Sequence, residues 1–359
     1  MPPLLYRPDI DDVRDRLTRW WRGEDLGRPV VFLSAPREEP LEPVDDIPPP
    51  PGWTTDYSVS DFDYRVHLAK VACARTVYMG EAVPCVVPEL GPNTLSLYLG
   101  ARAIDGVNTV WFEPWIDDPD AVDDLPFDKD NFYWRFTLRL LREQKRVCGG
   151  KTLFQFPDLI EGLDTLSGLR GTEPLLMDLI ERPDWVKKML GIIERRYFEA
   201  YNALYDEMKD ERGGSHYWMW APGKVAKLQC DFSAMISPEM FAEFMMPTLR
   251  HMTERLDYSI YHWDGPGALA HHDHLLSLER LDTLQWTPGA GVEPTPDPRW
   301  WPIYHKTLDA GKNVLIGGTT KEELIALKKE FGRKLNRFVL GMRVETVEEG
   351  EKMLALASE

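Results

Sequence analysis

Eight short apolar runs, rich in β-branched and aromatic residues, recur along the chain, and helical periodicity separates most of them. The runs are Val30–Leu33, Val83–Val87, Thr152–Phe156, His216–Trp220 continuing through Val225–Leu228, Tyr258–His262, Leu281–Trp286, Asn313–Ile316 and Arg337–Leu340. Alternation of this kind predicts an α/β fold in which parallel strands are joined by crossover helices. Eight such units predict a closed (β/α)8 TIM barrel over residues 28–359, a single domain with insertions, preceded by an N-terminal helical extension over residues 1–27. An open doubly wound sheet is the competing arrangement. The 359 residues, 43% of them hydrophobic, suffice for a core of that size.

The helices between the runs are marked by their ends. In DIDDVRDRLTRWWRG, Ile10, Val13, Leu17 and Trp20 or Trp21 fall at helical spacing, with Asp9 as N-cap and Gly23 as stop. The longest helical pattern opens at Pro183, a first-turn position, and its Met189, Ile193, Tyr197, Tyr201 and Leu204 form a stripe suited to a core. The proline run at 48–51 excludes helix and central strand and predicts a surface loop.

In barrels of this type chemistry sits at the C-terminal strand ends. Those ends carry Ser34, Glu89, Gln155 with Asp158, Cys230 with Asp231, His262 with Asp264, Gln285 with Trp286, Gly317–Thr320, and Met342 with Arg343. So many polar residues at strand exits point to a site. Five of the eight histidines lie between His251 and His274, four of them in YHWDGPGALAHHDH. His262 and Asp264 are two apart on a strand and face the same way. They suit acid–base work, with Asp231 beside them to stabilise charge, or metal binding together with Cys230, a three-ligand set of the kind zinc accepts. His271, His272 and His274 fall in the next helix and are expected on a solvated face. Glu89, Gln155, Gln285, Arg343 and the aromatic pair Trp218 and Trp220 are expected to line the pocket and bind substrate. In GGTTKEEL, Thr319 and Glu322 have capping-box spacing.

A net charge of −17 and a pI near 5.0 leave no basic face for nucleic acid. No window approaches the length of a membrane span. Four cysteines without a CxxC pair suit free thiols and a cytoplasmic setting.

The segment CDFSAMISPEMFAEFMMPTLRHMTERL followed by YHWDG resembles the uroporphyrinogen decarboxylase superfamily, whose members carry a SPxxFxxFxxP helix after strand four. RPVVFLSAP, VPELGP and the closing FVLGMRVETVEEGEKML fit the same layout, so the resemblance runs from about Arg28 to the end. It implies a (β/α)8 barrel and one of two chemistries: decarboxylation of porphyrinogen acetates, or methyl transfer between a corrinoid or methylated donor and a thiol activated by zinc. The chain departs from both patterns. Only Arg37 stands where the decarboxylases carry an arginine-rich segment. Asp264 stands where the zinc methyltransferases carry a cysteine, and Met342 near the place of their second.

The leading expectation is therefore methyl transfer involving a corrinoid, carried by a partner protein, or a small-molecule acceptor, with His262 and Asp264 binding zinc or acting as acid and base. The alternatives are a decarboxylase or other lyase acting on a small carboxylic acid or porphyrinogen-like substrate, and a non-catalytic ligand-binding barrel. A homodimer is expected from the habits of such barrels.

Overall fold

A computed structural model of the chain describes residues 3–44, 46, 59–105 and 110–359; the proline run at 48–51 lies outside them. Among the described residues there are thirteen α-helices and thirteen strands. The strands are β1 (Val30–Pro36), β2 (Thr76–Gly80), β3 (Cys85–Val86), β4 (Arg102–Asp105), β5 (Val110–Glu113), β6 (Leu153–Phe154), β7 (Ser215–Tyr217), β8 (Met219–Ala221), β9 (Val225–Gln229), β10 (Tyr258–Asp264), β11 (Thr283–Thr287), β12 (Asn313–Ile316) and β13 (Phe338–Arg343).

Each of the eight runs contributes to this set. The central sheet has the order β2-β1-β13-β12-β11-β10-β9, parallel throughout except for β2, which runs antiparallel to β1. A second parallel pair, β3 with β6, is extended by one bridge from Gln155 to His216. This is an α/β fold with a mostly parallel sheet, consistent with a barrel-like arrangement. The expected closed ring is not completed by hydrogen bonds among the described residues. β2 occupies the edge of β1 on which β3 was expected. On the other side, β9 meets β7 through the Ser215 hydroxyl, which donates to Gly223 O (2.6 Å) and accepts from Val225 N (3.1 Å).

Strands covered on both faces read as continuous apolar runs. All five residues of β9 are buried, and one of them is a lysine, Lys227. The helix Pro183–Met208 lays Met189, Ile193, Tyr197, Tyr201 and Leu204 against the core, where Tyr201 stacks on Phe156 at 4.5 Å. Full burial of each aliphatic side chain in that stripe contributes about 1.5–3 kcal/mol.

The helix Ile10–Trp21 covers the N-terminal end of the sheet. Its Trp21 indole donates to Trp220 O (2.9 Å) and its Trp20 indole to Asn336 O (3.1 Å). Buried Arg14 pairs with Asp210 (2.9 Å) and Glu211 (2.7 Å). Beside it, buried Glu81 takes Arg16 (2.8 Å) and Arg28 (2.7 Å). The opposite end of the sheet stays open.

Register decides which side chains meet at that open end, because partners in a parallel pair face the same side. Gln229, His262, Gln285, Leu315 and Val339 are successive partners and form one layer. Asp264 and Thr287 lie one layer further out, and Ser34 pairs with Arg343.

Candidate functional site

The strand β10 delivers His262 and Asp264 together, as their two-residue spacing requires. His262 Nε2 lies 3.9 Å from Asp264 Oδ2. Asp231, just past β9, joins them: one potential ligand atom from each of Asp231, His262 and Asp264 falls within 4.8 Å of the others. The three residues expected to carry catalysis are thus brought into one cluster.

Cys230 does not belong to it. The thiol is buried in the core, its neighbours Gln229 and Asp231 taking the open side, and burial pushes its pKa up. The residues that the fold groups as potential ligands are His262, Asp264 and Asp231, one nitrogen and two oxygens, and Cys230 is not among them.

Gln285 fixes the imidazole. Its Nε2 donates to Trp286 O (2.9 Å) and Thr287 Oγ1 (2.7 Å), so its Oε1 faces His262 Nδ1 and accepts from it. The proton therefore sits on Nδ1, and the Nε2 lone pair points toward Asp264. Burial, and then the charge of Lys227, lower the His262 pKa and keep the ring neutral. Asp231 is pushed up by burial and by the charge of Asp264. A neutral imidazole and two mutually repelling carboxylates match a divalent cation, which would relieve that repulsion.

The surroundings are acidic. Asp164 accepts the backbone N–H groups of Asp231 and Phe232, both at 2.8 Å, and its pKa is raised by burial and by Asp231. Buried Glu161 accepts Gln229 N (2.9 Å), and burial raises its pKa to about 8. Glu89, raised to about 7 by burial and by the charge of Asp158, accepts the N–H groups of Leu90 (3.0 Å) and Gly91 (2.9 Å). Against these carboxylates stands Lys227, 1% exposed, its Nζ 2.5 Å from Asp158 Oδ1. Lys227, Gln229, Glu161 and Asp164 were not singled out from the sequence. The available signal was a lysine inside the apolar run VAKLQ.

Trp218 sits on the site and Trp220 does not. The chain reverses at Trp218, a non-glycine residue with φ 59°, and β8 returns antiparallel to β7. The turn is held by Gln155 Oε1, which accepts Trp218 N (2.8 Å) and bonds His216 Nδ1 (3.0 Å). Left-handed backbone at a bulky residue costs about 1–3 kcal/mol and concentrates at functional sites. Here it presents the Trp218 ring edge-on to His262 at 5.5 Å. Trp220 instead packs under Arg14 and donates to Asp210 Oδ2 (2.7 Å), at the closed end. Gln155 is correspondingly a brace for Trp218. Arg343 ends β13 exposed.

Of the three histidines expected on a solvated face, His274 is half-exposed and the other two depart from expectation. His271 is 1% exposed, bonded to Ser233 O (2.9 Å) and stacked on Phe241 at 4.4 Å. His272 is 4% exposed, bonded to Thr307 Oγ1 (3.0 Å) and packed on Trp263 at 4.4 Å. Both are core residues; the turn winds as a 3-10 helix, Pro266–His271, that folds them back inward. The capping box is one residue later than its expected place, formed by Thr320 and Glu323, while Thr319 is buried.

A cavity of about 510 Å³ opens beside the cluster. Asp231, Gln229 and Asp164 line one end, and Trp111 and Phe112 of the β4–β5 hairpin another. None of its described lining residues is basic.

No family model and no curated protein matches the chain. Among solved structures it is similar to a methyltransferase from Methanosarcina mazei, with a TM-score of 0.59 and 12% identity over 96% of this chain and 98% of that one. At that identity the likeness establishes the fold. No helix among the described residues is long and apolar enough to cross a membrane.

Proposed function

We propose that this chain is a methyltransferase that moves a methyl group between a corrinoid or other methylated donor and a small-molecule acceptor. Its reaction centre is the Asp231–His262–Asp264 cluster holding one divalent cation. The observation that carries this reading is Gln285, which commits His262 to the tautomer whose free lone pair faces the carboxylates. Ligating histidines are oriented in this way by the partner of their other nitrogen. A divalent cation held by Asp231, His262 and Asp264 would supply Lewis acidity that lowers the pKa of an acceptor. Trp218 walls the cluster, and the cavity beside Asp231 receives the body of the substrate. The lack of basic residues among its described lining disfavours a polycarboxylate such as a porphyrinogen.

Two measurements test the reading. Purified protein should hold about one equivalent of divalent metal per chain. With methylcobalamin as donor and a panel of small thiols as acceptors, the wild type should form the methylated thiol and His262→Ala should not. Protein that binds no divalent metal, together with an unchanged His262→Ala variant, sinks it.

A second reading, a lyase releasing carbon dioxide from a small acid, draws on Glu89, whose carboxyl near neutrality can donate a proton. Carbon dioxide release without methylated product would favour it. Tight binding of ligand without either product would leave the non-catalytic barrel.

A further inference from the structure

Lys227 has no evident reason to be where it is. A lysine is almost never fully buried unless it is paired, and this one stands on the inner face of β9, two residues before Gln229 and four before Asp231. Its ammonium has three donor directions. One goes to Asp158 Oδ1 at 2.5 Å, one to Gln229 Oε1, and the Trp218 and Tyr217 ring centroids lie 5.7 and 5.9 Å away.

The second contact has a consequence for the cluster. Because Gln229 Oε1 accepts from Lys227, its Nε2 is turned the other way. It donates there to Asp231 Oδ2 at 3.0 Å and reaches Asp164 Oδ2 at 3.4 Å. One oxygen of Asp231 is thereby engaged and the other is left for a ligand. Gln285 does the same for His262 on the neighbouring side. In each case a primary amide, pinned at one end, sets the direction of a ligating group at the other.

Resting on the proposed reaction centre, we infer that Gln229, pinned by Lys227, is the positioning residue for Asp231, as Gln285 is for His262. Gln229 acts on the cation's ligand Asp231, and Lys227 reaches Asp231 through Gln229.

The test uses cobalt(II) as probe, because its visible absorption reports ligand geometry. Lys227→Met and Gln229→Leu should each bind cobalt 10–100-fold more weakly than wild type and show an altered band shape. Lys227→Arg, which restores a donor to Gln229, should recover most of the affinity and the wild-type spectrum. Recovery by arginine separates positioning from mere loss of a packed side chain, and Gln229→Leu decides the matter if Lys227→Met does not fold. Wild-type affinity and spectrum in Gln229→Leu would overturn the inference alone. Failure of the wild type to bind cobalt would overturn the reaction centre with it. Loss of affinity with an unchanged spectrum and no recovery in Lys227→Arg would also overturn it.

Discussion

The two ends of the sheet bury charge in opposite ways. At the closed end Glu81 is 1% exposed, yet it faces Arg16 and Arg28 and accepts Val31 N at 2.9 Å. Burial alone would push its carboxyl up; the two arginines and the backbone N–H outweigh that and hold it below its usual range. At the open end Glu89, Glu161, Asp164 and Asp231 are all pushed up, with Lys227 as the buried cation among them. The first end is satisfied and the second is not. A buried charge that lacks its partner is costly, and the raised pKa values at the open end are the mark of carboxyls that no buried arginine among the described residues offsets.

The contrast can be broken from either side. The largest effect is expected at the closed end. Glu81→Ala leaves two arginines without their carboxylate and should cost about 3–5 kcal/mol in denaturant unfolding. The wild-type contribution has a definite pH sense. Because the folded pKa is depressed, it is complete above the usual carboxylate value of 4.5 and fades as pH falls through the lower folded value. Loss of less than about 1 kcal/mol would mean the ends do not differ as described.

At the open end the corresponding change should spare the fold and remove the function. His262→Ala should lower the proposed methyl transfer at least about 100-fold, equivalent to about 2.7 kcal/mol in the barrier, with its unfolding midpoint near wild type. A large loss of stability would place His262 in the framework and not in the chemistry.

Glu161→Gln sharpens the contrast further. With a folded pKa near 8, Glu161 already carries its proton at neutrality. Its stabilising contribution is complete below pH 4.5 and is lost as pH rises toward 8, the reverse of Glu81. The neutral glutamine should therefore fold within about 1 kcal/mol of wild type at pH 7 and flatten the decline in stability between pH 4.5 and 8. A loss comparable with Glu81→Ala would mean that Glu161 is ionised and paired.

The smallest effect is expected at His272. Burial lowers its pKa to about 4, so the unfolded chain takes up a proton at a higher pH than the folded one. Its contribution is whole above pH 6.5 and fades as pH falls toward 4. His272→Leu should remove that acid sensitivity, with Thr307 keeping its bond to Ile303 O at 2.8 Å, and leave the proposed metal binding unchanged.

Much of this molecule was legible in its sequence. The strand-forming runs were, because a strand buried on both faces must be apolar and punctuated. β2 and the β4–β5 hairpin were not read, since short antiparallel strands flanking a parallel sheet carry no such run. At the site, His262 and Asp264 followed from their spacing on one strand. Trp220 and Cys230 were misplaced because alternation was carried through positions where it fails or inverts. The chain reverses at Trp218, and Cys230 falls on the face opposite Gln229 and Asp231. Histidine count was a poor guide: His271 and His272 share a segment with His262, but a turn of 3-10 helix buries them against Phe241 and Trp263.

The helix Ile10–Trp21 finally bears on how the protein is made. Its two tryptophans find their acceptors 199 and 316 residues downstream. During synthesis, which proceeds at about 5–20 residues per second, this segment leaves the ribosome before both acceptors, so Trp21 waits for residue 220 and Trp20 for residue 336. The two neighbouring indoles are therefore seated in turn, more than a hundred residues of synthesis apart.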